Sequence, residues 1–205
     1  VELLLAADAE VNVANSGGDT PLHYAVEDER MDMVGMLLKA GADPNARDEN
    51  LGRTPVHIAC GKSNEPVLKA LLKAGGDITL RNRSGDDALF IATFYGNLET
   101  MDLLVKEGAK PTRNKDGWNL VHAATFGGSA AAARKALALG CDINHVDKNG
   151  MTPLHHAAQY PFFDGTLQET LRFLLKNGAD PEAKDDKGRT PMDRATQDWV
   201  RHMLK

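Results

Sequence analysis

Four histidines, His23, His57, His122 and His155, follow one another at intervals of 34, 65 and 33 residues, and 65 is nearly two of the shorter steps. His156 adjoins His155, and Cys141 and His145 lie just upstream. Imidazoles and thiols ligate metals, shuttle protons and activate nucleophiles, so these residues are the first place to look for chemistry. A catalytic or metal-binding His is singular or clustered, whereas one copy per period is the mark of a structural ladder. Adjacent helical residues such as His155 and His156 diverge, because two ligands point one way only at i,i+3 or i,i+4 spacing. The chain has no Gly-x-x-x-x-Gly-Lys-Ser/Thr phosphate cradle, no His-Glu-x-x-His and no nucleophile elbow. These residues predict no enzyme, no metal site and no cofactor.

The elements around the histidines explain their spacing. Thr20-Pro21-Leu22-His23-Tyr24-Ala25, Thr54-Pro55-Val56-His57-Ile58-Ala59 and Thr152-Pro153-Leu154-His155-His156-Ala157 are copies of one stretch. Asp87-Ala88-Leu89-Phe90-Ile91-Ala92, Asn119-Leu120-Val121-His122-Ala123-Ala124 and Thr190-Pro191-Met192-Asp193-Arg194-Ala195 are altered copies. From one Thr position to the next the steps are 34, 33, 32, 33 and 38 residues, which is the signature of a stacked repeat array. The Thr predicts a helix N-cap and the Pro its first helical residue. A second helix follows, with apolar stripes such as Met33, Val34, Leu37 and Leu38 or Val67, Leu68, Leu71 and Leu72. Gly41, Gly75, Gly108, Gly140 and Gly178 stop these second helices, 21 residues after the Thr position in four units and 26 in the fifth. The extra five residues, Pro161-Phe162-Phe163-Asp164-Gly165, fall between the two helices.

Composition fits a soluble array, with 42% hydrophobic and 26% charged residues. The net charge of −5 disfavours a nucleic-acid partner, which requires a basic stripe. No apolar run reaches the length of a membrane span. Cys60 and Cys141 fall in different repeats and imply no disulfide framework, which predicts a reducing intracellular compartment, cytoplasmic or nuclear. The chain opens inside a helical pattern, at Val1, Leu3, Leu4 and Leu5, without an initiator Met. The natural protein is therefore expected to extend upstream.

Thr-Pro-Leu-His-x-Ala, two helices, a Gly-Ala-Asp-x-Asn turn and a period near 33 resemble the ankyrin repeat over essentially the whole chain. The resemblance implies an all-α solenoid of stacked helix-turn-helix units with β-hairpin-like finger loops. It implies a single domain over 1–205: a partial repeat at 1–14, repeats at about 15–48, 49–81, 82–113, 114–146 and 147–184, and a C-terminal cap at 185–205. It also implies a non-catalytic monomer that binds another protein through its concave groove and finger tips. The recurring His would hydrogen-bond turns of adjacent units. A second reading is a regulatory or targeting module of a larger enzyme, channel or effector.

In this family the partner-facing positions are those just before the Thr position and the pair after the Ala-Ala position of the first helix. Here the candidates are Leu51, Arg53, Lys62, Arg83, Phe94, Tyr95, Lys115, Trp118, Phe126, Met151 and Tyr160. Only 5% of the chain is aromatic, so rings gathered at these positions point to a docking surface on the central to C-terminal repeats. Trp118 and Tyr160 are the expected anchors, with Arg53, Lys62, Arg83 and Lys115 steering an acidic flank. Phe94 and Phe126 could instead bury between neighbouring first helices. Phe162 and Phe163 could enlarge the surface or tuck beneath the fifth repeat.

Overall fold

The computed structural model describes residues 10–160 and 166–205. The apolar face at Val1, Leu3, Leu4 and Leu5, with Asp8, lies outside the described residues, as do Phe162 and Phe163. All secondary structure among the described residues is helical, and the finger loops are closed by turns, not by strands. No helix among them is long and apolar enough to cross a membrane.

The chain forms two compact units, residues 1–91 with 99–109 and residues 92–98 with 110–205. The first holds α1 (Pro21–Glu27), α2 (Met31–Lys39), α3 (Pro55–Lys62) and α4 (Glu65–Lys73). The boundary runs through α5 (Ala88–Phe94) and α6 (Leu98–Lys106). The second holds α7 (Leu120–Phe126), α8 (Ala130–Ala138), α9 (Pro153–Gln159), α10 (Thr166–Lys176), α11 (Pro191–Arg194) and α12 (Asp198–Met203). Within the first unit α1 packs on α2 and α3, and α4 on α2 and α3. Within the second, α9 packs on α7, α10 and α11, and α8 on α7 and α10. First helices thus stack on first helices and second on second, around cores such as Leu22, Val34, Val56, Leu68 and Leu71, or Leu120, Ala124, Ala133, Leu154 and Leu174.

Small residues set the helix separation. A Cβ on Gly127 would lie 1.8 Å from the backbone oxygen of Phe94, so no side chain fits there. The second helices that stop at Gly41, Gly75, Gly108, Gly140 and Gly178 end in a Schellman turn. Gly41, for example, sits at φ 88°, and the Ala42 N–H donates to the Leu37 carbonyl at 2.9 Å.

First helices start from a shared box. In α3 and α9 the Thr hydroxyl accepts from the backbone N–H of His57 or His155, while the backbone N–H of the same Thr donates to His Nδ1 at 3.1 Å. The hydroxyl also lies 2.8–2.9 Å from Nδ1, so it donates to that ring nitrogen. Nδ1 is therefore the acceptor and Nε2 carries the hydrogen, which it donates to a carbonyl of the next repeat. His57 reaches the Asp86 carbonyl at 3.2 Å and His155 the Arg189 carbonyl at 3.0 Å. His23 and His122 reach Arg53 and Met151 in the same way. Two variations show what the box requires. Thr20 pairs with His23 Nδ1 but makes no side-chain cap bond. Asp193, in the His place, uses its carboxylate to accept from the Thr190 N–H at 2.8 Å.

An asparagine clasp ties successive loops. Asn45 donates to the Gly75 carbonyl and accepts from the Asp77 N–H; Asn144 does the same with Gly178 and Asp180, and Asn12 with Gly41 and Asp43.

Two predictions follow from this packing. Gly127→Ala should cost about 3 kcal/mol, while Gly35→Ala, inside α2 with open space around the new methyl, should gain about 1 kcal/mol, both read by urea unfolding. Equal effects of the two would contradict the close approach at Phe94. The second concerns pH. Burial pushes the imidazoles of His57, His122 and His155 down from 6.5, against the pull of the accepting carbonyls. With folded values below the unfolded one, the unfolded chain takes up protons first. This stability is fully present above pH 6.5 and is lost as pH falls through the folded values. The urea midpoint should drop between neutral pH and about pH 5, and less in His155→Phe than in the parent. A midpoint indifferent to pH would contradict the ladder's neutral state.

Candidate partner-binding surface

The aromatic candidates of the second unit come together. Phe94 ends α5 and Tyr95 follows it; Phe126 ends α7; Tyr160 follows α9; Trp118 stands one residue before the Asn119 cap of α7. Ring centroids lie 5.3 Å apart for Phe94–Tyr95, 5.8 Å for Phe94–Phe126, 5.8 Å for Phe126–Tyr160 and 5.2 Å for Trp118–Phe126. The repeat places these rings at equivalent helix ends, so stacking the repeats aligns them. Tyr95 and Tyr160 are exposed at 60% and 46%. Phe94, Phe126 and Trp118 are half-buried. The two Phe rings are thus partly covered by their neighbours.

Met151 is a correction. Expected at a finger tip facing a partner, it is only 5% exposed. Its backbone is held from two sides. Its N–H donates to Asp147 Oδ1, and its carbonyl accepts from the Asp147 N–H and from His122 Nε2. These bonds fold the turn inward, and the Met side chain goes with it.

Two of the expected steering cations have carboxylate partners within their own unit. Arg53 is paired with the buried Asp48 at 2.8 Å, and Lys62 with Glu27 at 3.1 Å. Burial pushes the Asp48 carboxyl up, but the Arg53 side chain and the backbone N–H groups of Leu51 and Arg53 outweigh it and hold it below the ordinary range. Arg83 and Lys115 are exposed, as is Leu51 at 52%. Leu51, Arg53, Lys62 and Arg83 belong to the first unit; the aromatic group and Lys115 belong to the second. The two units differ in charge. The first carries 10 Lys and Arg against 18 Asp and Glu, the second 14 against 11.

Beneath the rings lies a group that the repeat pattern did not reveal. The Asp147 carboxylate is buried and its Oδ2 accepts from His156 Nε2 at 2.8 Å and from the Trp118 indole N–H at 3.3 Å. Its Oδ1 accepts from the N–H groups of Asn149 and Met151. Burial pushes the Asp147 carboxyl up, but these hydrogen bonds outweigh it and hold it below the ordinary carboxylate range. Burial likewise pushes His156 down, against the pull of Asp147. His156 meets Trp118 edge-on at 4.6 Å, and its Nδ1 has no hydrogen-bond partner among the described residues.

A register rule could have found this pair. Asp147 and His156 stand five residues before and four after the Thr position. Asp185 and Arg194 hold the same places around Thr190 and are also bonded. So are Asn15 and Tyr24 around Thr20, at 2.7 Å. Each is a strap from finger to first helix within one repeat. Among the described residues no group of three or more His, Cys, Asp or Glu could hold a metal ion. The thiols of Cys60 and Cys141 are pushed up by burial, away from the reactive thiolate form.

Residues 22–72 match the family described as ankyrin repeats (many copies), and residues 110–185 the one described as ankyrin repeats (3 copies). The human transient receptor potential cation channel subfamily A member 1 is 38% identical over 178 residues, which is 82% of this chain. The chain spans only 16% of that channel's length. The ankyrin repeat domain of Bcl-3, a member of the IkappaB protein family, is 30% identical with a TM-score of 0.72, over 99% of this chain and 89% of that one. The human ASB11 ankyrin repeat domain shares the fold, at a TM-score of 0.83 and 23% identity over 99% of this chain and 89% of that one. The matched segments in both units, together with the superposed Bcl-3 domain, establish that the chain belongs to the ankyrin-repeat family.

Proposed function

We propose that this all-α solenoid is a scaffold that holds a partner protein on the aromatic surface of its second unit. Ankyrin repeats as a class are protein–protein interaction modules. The observation that carries the placement is the exposure of Tyr95 and Tyr160 at the two ends of a continuous run of rings. Large aromatic side chains on a surface are what binding hot spots are made of. Trp118 is held in place by Asp147, and a preorganised anchor loses less freedom on docking. In this reading the chain is non-catalytic and needs no cofactor. Its place is inside the cell, where two unbridged thiols such as Cys60 and Cys141 persist.

A second reading is favoured by the similarity to the human channel, of which this chain spans 16%. The segment would then be the regulatory or targeting array of a larger channel, enzyme or effector, and the surface would hold a neighbouring domain or a regulator. The transcript decides between the two. A reading frame running on into a membrane-spanning or catalytic region supports the second, and one ending without either leaves the scaffold.

The placement is tested by affinity capture with the parent chain, followed by titration of the captured protein. Trp118→Ala should weaken binding by roughly 2 kcal/mol, about thirtyfold, and Trp118→Ala with Tyr160→Ala by more. Met31→Ala, an exposed apolar side chain on α2 of the first unit, should leave affinity unchanged. Retained affinity in the double variant, with its helical circular dichroism intact, would remove the aromatic surface as the docking site.

A further inference from the structure

The finger-to-helix straps differ in one chemical respect. Asn15–Tyr24 is neutral, and Asp185–Arg194 carries a permanent cation. Asp147–His156 alone of the three has a partner that changes charge near neutral pH. This titratable strap is also the one beneath the docking rings. Its carboxylate oxygen Oδ2 is shared between His156 Nε2 and the Trp118 indole N–H.

With Nε2 donating to a carboxylate, a neutral His156 keeps its lone pair on Nδ1. That atom is buried and has no partner among the described residues. Rings surround the imidazole, with centroids at 4.6 Å for Trp118, 5.5 Å for His122 and 6.4 Å for Tyr160. A proton added at Nδ1 creates a charged donor with no acceptor, and such a group is expensive to keep buried. His155 differs, since its Nδ1 already accepts from Thr152. The groups acting on His156 come from several elements. They are Asp147 from the finger, His122 from α7, Arg194 from α11, and His155 and Tyr160 beside it. His145 stands behind His122, at 5.9 Å. The charges of α10, Glu169, Arg172 and Lys176, face solvent. Arg194 and a protonated His122 would both repel an imidazolium here. Burial pushes His122 down to about 3.

From this arrangement we infer that the surface of Trp118 and Tyr160 is proton-gated: a proton taken from solvent at His156 Nδ1 drives the ring out of its site, breaks the shared Asp147 anchor and releases Trp118 from its docking position. The inference rests on the preceding reading of those rings as the docking surface. A partner held there at neutral pH is let go in acid, without unfolding of the repeats.

The test needs no partner, so it can fail independently of the capture experiment. Trp118 and Trp199 are the two tryptophans, and Trp199→Phe leaves Trp118 as the sole indole reporter. Emission and acrylamide quenching of this chain are followed from neutral to acid pH, with far-UV circular dichroism alongside. Trp118 emission should shift to the red and become more quenchable, with a midpoint below 6.5 and ahead of any loss of helix. His156→Gln should abolish the transition. His156→Arg, which copies Arg194, should do the same and serves if the Gln variant fails to fold. His122→Phe, which repeats the Phe90 found at the same register, should keep it. Persistence of the transition in either folded His156 variant, or its loss in folded His122→Phe alone, would overturn the gate. So would Trp118 emission that stays constant until the helices melt.

Discussion

First helices of seven or eight residues are too short to stand alone in water, where even good helix formers are marginal below about 12–15 residues. What holds them is the neutral imidazole at the third helical position. It closes the helix start through Nδ1 and reaches the next repeat's finger through Nε2–H. One side chain thus satisfies polar groups of two repeats at once, and the bond accepted at Nδ1 requires the uncharged ring. The apolar stripes bury area, but they do not fix the rotation of one helix pair against the next. The ring does, because its two nitrogens point in fixed directions.

Much of this was legible in the sequence because its signals are local. Thr-Pro at each start, Gly at each stop and the period itself are statements about backbone conformation, and the structure keeps them. Asp193 marks an altered copy of the repeated stretch, and the structure supplies the reason it is accommodated, since a carboxylate can accept the same backbone N–H. The surface was less legible. Met151 stands at a finger position that faces outward when its backbone is unconstrained, but Asp147 and His122 fix that backbone from both sides. Arg53 and Lys62 read as steering cations, and their partners, Asp48 and Glu27, are recognised only once the loop and the helix pair are built. His156 adjoins a ladder histidine, and its sequence neighbours alone suggest no role beyond a metal ligand's. Its meaning lies in a residue nine positions away, in a register that shows only when the repeats are aligned.

The aromatic surface and the strap beneath it are one structure. Trp118 stacks on His122, touches His156 and Phe126, and donates to Asp147. A ring that contributes to docking is therefore also wired to a buried carboxylate. The unequal charge of the two units, 10 cations against 18 anions and 14 against 11, leaves this surface on the unit with the net positive balance.

The asparagine clasp closes over loops of different length. From Asn12 to Gly41 it spans 29 residues, from Asn45 to Gly75 it spans 30, and from Asn144 to Gly178 it spans 34. The bonds fix where a repeat begins and ends and leave free how many residues lie between. Insertions and deletions in the gene are thereby sorted into two kinds. Whole repeats, or segments slipped between a first and a second helix, pass without stranding a polar group. A shift of one codon inside a box strands several together. Lineages of such chains should therefore diversify by copying modules and lengthening inner loops, while the boxes drift only by substitution.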